Sequence, residues 1–258
     1  LGGKGAYIGK VRDDQFGDVF RHDMNAIGVS FTTPAATTGP TTGRCLVMVT
    51  PDAQRTMSTF LGAAADLTLA DIEPEVVKSA KVTYLEGNLF DPPEAQQAFI
   101  AAAEMAHGAG RKVAITLSDS FCVGRHRDAF RSLVEAHIDI LFANEDEILS
   151  LYQVDDFDDA LQAVRGHCEV ACLTRSEKGS VILSGDEVHV VDAAPVESVI
   201  DTTGAGDLFA AGFLYGYTQG RDLAESARIG GIAAAEVIGH YGARPETDLA
   251  ALAKKALG

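Results

Sequence analysis

The chain has 258 residues, 47% of them hydrophobic, and a formal net charge of −16. That size and apolar content support one large domain with a substantial core, and the charge argues against nucleic acid or an anionic membrane surface as the main partner. No apolar run approaches the roughly 20 residues of a bilayer crossing, and four cysteines (Cys45, Cys122, Cys168, Cys172) without C-x-x-C spacing fit a reducing, cytoplasmic setting.

In chain order, "LGGKGAYIGKV" (1–11) reads as a strand that opens with no lead-in, so residues upstream of Leu1 are expected. The stretch 28–60, rich in Thr, Pro and β-branched residues, predicts a small β excursion. "KVTYLEG" (81–87) is a strand, and "DPPEAQQAFIAAAEMAHGAG" (91–110) a helix with Asp91 as N-cap, prolines at its start and glycines at its end. "KVAITL" (112–117) is a buried strand, "RDAFRSLVEAH" (127–137) a helix and "IDILFAN" (138–144) a strand. Helical "EDEILSLY" and "DDALQAVRG" follow, then strand "VACLT" (170–174) and a hairpin over 180–193 turning at Gly185-Asp186. The repeated βα order implies a mostly parallel sheet covered by helices. Ligands of such sheets bind beyond the carboxyl ends of strands. Four polar clusters fall at predicted strand exits: Ser118-Asp119, Asn144–Glu147, Thr174–Gly179 and Thr202–Asp207.

The last cluster, in "IDTTGAGDLF" (200–209), carries the chemistry. A helix starts near Gly206, and a helix N-terminus offers unpaired N–H groups and partial positive charge to an anion. Glycines let the backbone approach a ligand closely. A carboxylate there would repel the anion, a conflict that disappears if Asp207 removes a proton instead. The competing reading is a glycine-rich turn with an ordinary capping Asp. The dinucleotide fingerprint fails because Phe209 stands at its third glycine, and no G-x-x-x-x-G-K-[ST] occurs. His167, Cys168 and Cys172 lack a fourth metal ligand and are assigned to packing.

"DTTGAGDLFAAGFL" (201–214) resembles the C-terminal signature of PfkB carbohydrate kinases, the ribokinase-like group that includes adenosine kinase. The similarity continues in "GKVRDDQFGDVF" (9–20), with Arg12 where glycine is usual, and in "NEDE" (144–147), which resembles an N-x-x-E motif. "TRSEKG" (174–179) resembles the T-x-G-x-x-G loop with Ser176 replacing a glycine, and "GGIAAAEVIGHYGARP" (230–245) the helix and turn beside adenine. "VTPDAQRTMSTFLGAA", "YLEG" and "AAAEVI" point within the family to the adenosine-kinase-like branch.

The resemblance implies one ribokinase-like domain over 1–258, a three-layer α/β fold with a mostly parallel sheet, and a β lid to which 28–60 contributes. It implies transfer of the ATP γ-phosphate to a primary hydroxyl, with backbone N–H groups of Gly204, Ala205 and Gly206 as the anion hole and Asp207 as base. Asn144 and Glu147 would act on the phosphates, Glu147 through waters of Mg²⁺, although "NEDE" also reads as an acidic helix start. Thr174, Ser176 and Gly179 would line the nucleotide. Gly231, Ala235 and Gly242 would form the adenine slot, or else serve close helix packing. Asp201 and Thr203 would help bind a monovalent cation such as K⁺. The leading acceptor is adenosine or a close nucleoside. The alternatives are a sugar kinase acting on ribose, fructose or a keto-deoxy sugar, and a non-catalytic nucleotide-binding paralogue. Monomer and homodimer both remain open.

Overall fold

The computed structural model describes residues 1–258. The elements run α1 (Gln15–Ala26), β1 (Arg44–Val49), β2 (Arg55–Phe60), α2 (Pro74–Ser79), β3 (Val82–Glu86), α3 (Pro93–Gly108), β4 (Lys112–Thr116), α4 (Ser120–His137) and β5 (Ile140–Asn144). They continue with α5 (Glu145–Tyr152), α6 (Phe157–Val164), β6 (Val170–Thr174), β7 (Ser180–Ser184), β8 (Glu187–Val191), α7 (Ala205–Thr218), α8 (Leu223–Val237) and α9 (Leu249–Leu257).

Six strands form one sheet in the order β3-β4-β5-β6-β7-β8. The first four are parallel, and β7 and β8 are antiparallel additions. Helices cover both faces, which is why β5 (ILFAN) and β6 (VACLT) are apolar runs and not alternating ones. On one face Val113, Ile115, Leu141 and Leu173 pack with Phe99, Phe130, Ile148 and Phe157 of the α3–α6 layer. On the other, Ala114, Ile140, Phe142 and Cys172 meet Phe209 and Phe213 of α7 and Ala227 of α8. The result is the three-layer architecture expected.

β1 and β2 form a separate antiparallel hairpin, the lid, in which every residue of β2 is exposed. Arg55 and Met57 share its inward face.

Four expectations are corrected. Residues 1–11 do not form a strand, because the segment pairs only through single bridges, Ala6 with Ser30 and, next to it, Arg12 with Ala36. Asp91 does not cap α3, whose N-cap is Pro92. Its carboxylate instead accepts from Arg125 at 3.0 and 3.2 Å and from His126 at 2.6 Å. α4 starts about two turns early, at Ser120, because Asp119 accepts the N–H groups of Phe121 and Cys122, and it bends at His126 (φ −123°). Finally, no strand leads into Thr202–Asp207. Residues 192–204 are irregular, and the cluster reaches the site as the N-terminus of α7.

Candidate active site

Parallel register sets the frame. Asn144 and Thr174 are partners at the ends of β5 and β6, so their side chains arrive at one edge of the sheet. Beyond that edge lies an open cavity of about 240 Å³, walled by the exits of β3 to β6, the start of α7 and the lid strand β2. It brings together Asn144, Glu147, Thr174, Thr203, Gly204, Ala205, Gly206 and Asp207.

Gly204 takes φ +84° as N-cap of α7, and its missing Cβ would stand 3.0 Å from Ala243. Only glycine meets both requirements without strain. The N–H of Ala205 bonds to the Thr202 carbonyl at 3.3 Å, while those of Gly204 and Gly206 have no protein acceptor. The carboxylate of Asp207, in the first turn, makes no hydrogen bond to the protein. Desolvation raises its pKa, and Arg55 opposes the rise. Solvent still reaches it through the cavity mouth.

Asn144 and Glu147 cap α5 reciprocally. The N–H of Glu147 donates to Asn144 Oδ1 (2.8 Å), and the backbone N–H and Nδ2 of Asn144 donate to Glu147 Oε2 and Oε1, both at 2.9 Å. The bland reading of "NEDE" is therefore correct as structure, yet both residues also line the cavity. Burial pushes the Glu147 carboxyl up to about 7, against the lowering effect of the Asn144 N–H, with Asp119 and Glu86 adding repulsion.

Asp201 is buried behind the loop. Oδ1 accepts from Thr203 N–H (2.9 Å) and Oγ1 (2.6 Å), and Oδ2 accepts from Gly242 N–H (3.0 Å). Burial works against its ionised form, but these hydrogen bonds prevail and hold its pKa low. Asp201 thus braces the 201–204 turn against the turn at Gly242. Ser176, Gly179, Gly231, Ala235 and Gly242 lie outside the cavity. Ser176 adopts φ +51°, the left-handed conformation a glycine would take there. Gly179 packs so closely that a Cβ would fall 2.1 Å from the Val191 carbonyl oxygen.

Among the cavity residues not expected as site residues are Glu86, Asn88, Ser118 and Arg55. Ser118, at φ +66°, donates to Glu86, whose Oε1 also takes Asn88 Nδ2 at 3.2 Å. Burial raises the pKa of Glu86, and Asp207 adds to the shift. Arg55 is the single cation of the lining and donates to Thr202 Oγ1 at 2.5 Å. Single residues on short strands carry no sequence signature. The available hint was the polar Ser118-Asp119 pair after a buried strand. No group of three or more His, Cys, Asp or Glu side chains is placed to chelate a metal. A divalent ion here would therefore be held largely by phosphate oxygens and water.

The model of the pfkB family carbohydrate kinases matches residues 1–249. The solved structure of a probable sugar kinase from Rhizobium etli is 50% identical, with a TM-score of 0.96 over 99% of this chain and 78% of that one. That of adenosine kinase from Sinorhizobium meliloti is also 50% identical, with a TM-score of 0.97 over 99% and 79%. A cytidine kinase of Thermococcus kodakarensis is 32% identical over 168 residues, 62% of this chain but only 58% of that protein's length. No helix is long and apolar enough to cross a membrane. Fold, signature loop and family model agree: the chain has the ribokinase-like fold and belongs to the pfkB family of carbohydrate kinases, ATP-dependent enzymes with a hydroxyl group as acceptor.

Proposed function

We propose that the protein transfers the γ-phosphate of ATP to the primary hydroxyl of a nucleoside, adenosine first, at the cavity built around Asp207. One observation carries this reading: a carboxylate with no protein partner stands beside two free N–H groups at a helix N-terminus. Asp207 takes the acceptor hydroxyl's proton as the alcohol attacks. A carboxylate is too weak a base to ionise an alcohol beforehand, so the proton moves late, with bond formation. The N–H groups of Gly204 and Gly206 receive the charge on the transferring phosphoryl group, where one preorganised donor is worth about 3 kcal/mol. Bound Mg²⁺ would supply further charge neutralisation on the phosphates. Asn144 and Glu147 would hold it through water, which suits hard carboxylate and amide oxygens on a rigid cap. Arg55, on the lid, faces the same anion and closes the site against water.

Adenosine is supported by the 50% identity to an adenosine kinase, and a sugar by equal identity to a probable sugar kinase. The polar wall of Glu86, Asn88 and Ser118 favours the sugar reading in one respect, since it offers hydroxyl partners where a base would prefer an apolar face. The deciding experiment incubates the protein with ATP and Mg²⁺ and assays phosphorylation of adenosine, cytidine, ribose, fructose and a keto-deoxy sugar. Adenosine should give the highest kcat/KM. Asp207→Asn should keep ATP binding and lower kcat by about 10²–10⁴-fold. Turnover of no acceptor, or an Asn variant as active as the parent, removes the assignment.

A further inference from the structure

The loop joining β6 to β7 is a single short 3-10 turn, Ser176–Lys178. Its base is closed by Arg175 N–H to Gly179 O at 2.8 Å and Lys178 N–H to Arg175 O at 3.0 Å. Ser176 and Gly179 both have positive φ, +51° and +81°. The first is uncommon for a residue with a Cβ and persists only where the surroundings enforce it.

The Arg175 side chain anchors the start of this turn to the neighbouring strand exit. Nε and Nη2 donate to Glu145 Oε2 and Oε1 at 3.2 and 3.0 Å, a two-pronged pairing of planar groups. The guanidinium also lies 3.9 Å from the ring centroid of Phe157, which is buried at the start of α6. Hydrogen bonds from Arg175 hold the Glu145 carboxyl below its ordinary range. Lys178 adds a second cation 3.8 Å from the same carboxylate. Glu145 opens α5, between Asn144 and Glu147, and Arg175 directly follows Thr174. Since Asn144 and Thr174 are register partners, the ion pair ties two neighbouring strand exits together one residue beyond their last pairing. Neither member lines the cavity.

We propose that Arg175 and Glu145 form a positioning latch that locks the Thr174–Gly179 loop to the Asn144–Glu147 cap and so presets the nucleotide side of the site. The proposal rests on the kinase reading above. With the latch intact, both phosphate-facing segments move as one edge. With it broken, the loop samples other conformations and must be ordered when ATP binds, which weakens ATP binding and leaves the bound complex as reactive as before. The planar fork is essential, so lysine at 175 does not substitute.

The test compares Glu145→Gln, Arg175→Lys, Arg175→Gln and the double Glu145→Gln/Arg175→Gln variant in the full chain. It measures KM for ATP, KM for acceptor, kcat, Tm, and ATP binding by calorimetry without acceptor. Each single variant, Arg175→Lys included, should raise KM and Kd for ATP about tenfold, with kcat and acceptor KM unchanged within about twofold. The double variant should be no worse than a single one, because both remove the same interaction. Unchanged ATP affinity with a lowered Tm overturns the latch, as do effects that simply add in the double variant. These outcomes leave the kinase assignment standing. A parent protein that binds no ATP overturns both.

Discussion

Arg55 is the residue whose role depends most on its neighbours. It projects from an exposed strand, reaches Thr202 across 147 positions of sequence, and is the one group that pulls the Asp207 pKa down. Removing it lets desolvation act on Asp207 unopposed, so its carboxyl becomes harder to ionise. Arg55→Ala should therefore shift the acid limb of the kcat/KM pH profile upward and reduce kcat by about 10-fold or more, through loss of charge at the transferring phosphoryl. Arg55→Lys should keep the limb near its original position. An unmoved limb in Arg55→Ala would show that the lid arginine does not face the base. Asp207 and its glycines could be read from residue types alone, because a helix start with glycines and a lone carboxylate is a local pattern. Arg55 and Glu86 could not. Each is an unremarkable residue until the fold sets it opposite Asp207.

Among elements, the contact of α7 with α8 decides how accurately Asp207 is held. Three glycines make it possible. A Cβ at Gly212 would sit 2.8 Å from the Gly230 Cα and the Ile229 oxygen, one at Gly216 would sit 2.7 Å from Ser226 Oγ, and one at Gly230 would sit 2.7 Å from the Phe209 oxygen. The helices thus meet backbone to backbone, and α7 carries Asp207 in its first turn. Gly212→Ala should cost about 1–3 kcal/mol through overpacking, read as a lower midpoint in urea. It should also depress kcat by shifting α7. A variant as stable as the parent would mean that the two helices can separate freely. Strands β3 to β8 lay close to their predicted spans because buried runs bounded by Gly, Asn and Asp are strong local signals. The ends of helices were less legible. Asp91 has the chemistry of an N-cap but is drawn away by Arg125 and His126, distant in sequence. The small β sheet over 44–60 was visible in composition, whereas its inward face was not.

For the whole molecule, the concentration of acid matters. Glu86, Glu147 and Asp207 share one cavity, and burial raises the pKa of each, Glu147 to about 7 from an ordinary 4.5. Between those two values the folded chain binds more protons than the unfolded chain, so stability falls as pH rises through the window. The protein without ligands should have a lower Tm at pH 8 than at pH 5 from this source, and Glu147→Gln should flatten that slope. Paired melting curves of parent and variant check it, and identical slopes would place the proton uptake elsewhere.

Composition and the βα rhythm were enough to determine the fold class, because backbone propensity and burial act over a few residues, whereas the family was legible only through the resemblance of "DTTGAGDLFAAGFL" (201–214) to its signature. Tertiary structure alone decided which side chains line the cavity and which distant pairs meet beside it. Those contacts join residues such as Arg55 with Thr202 and Arg175 with Glu145, brought within reach by strand register and helix packing. Interactions at such separation leave no periodic trace in the chain that encodes them.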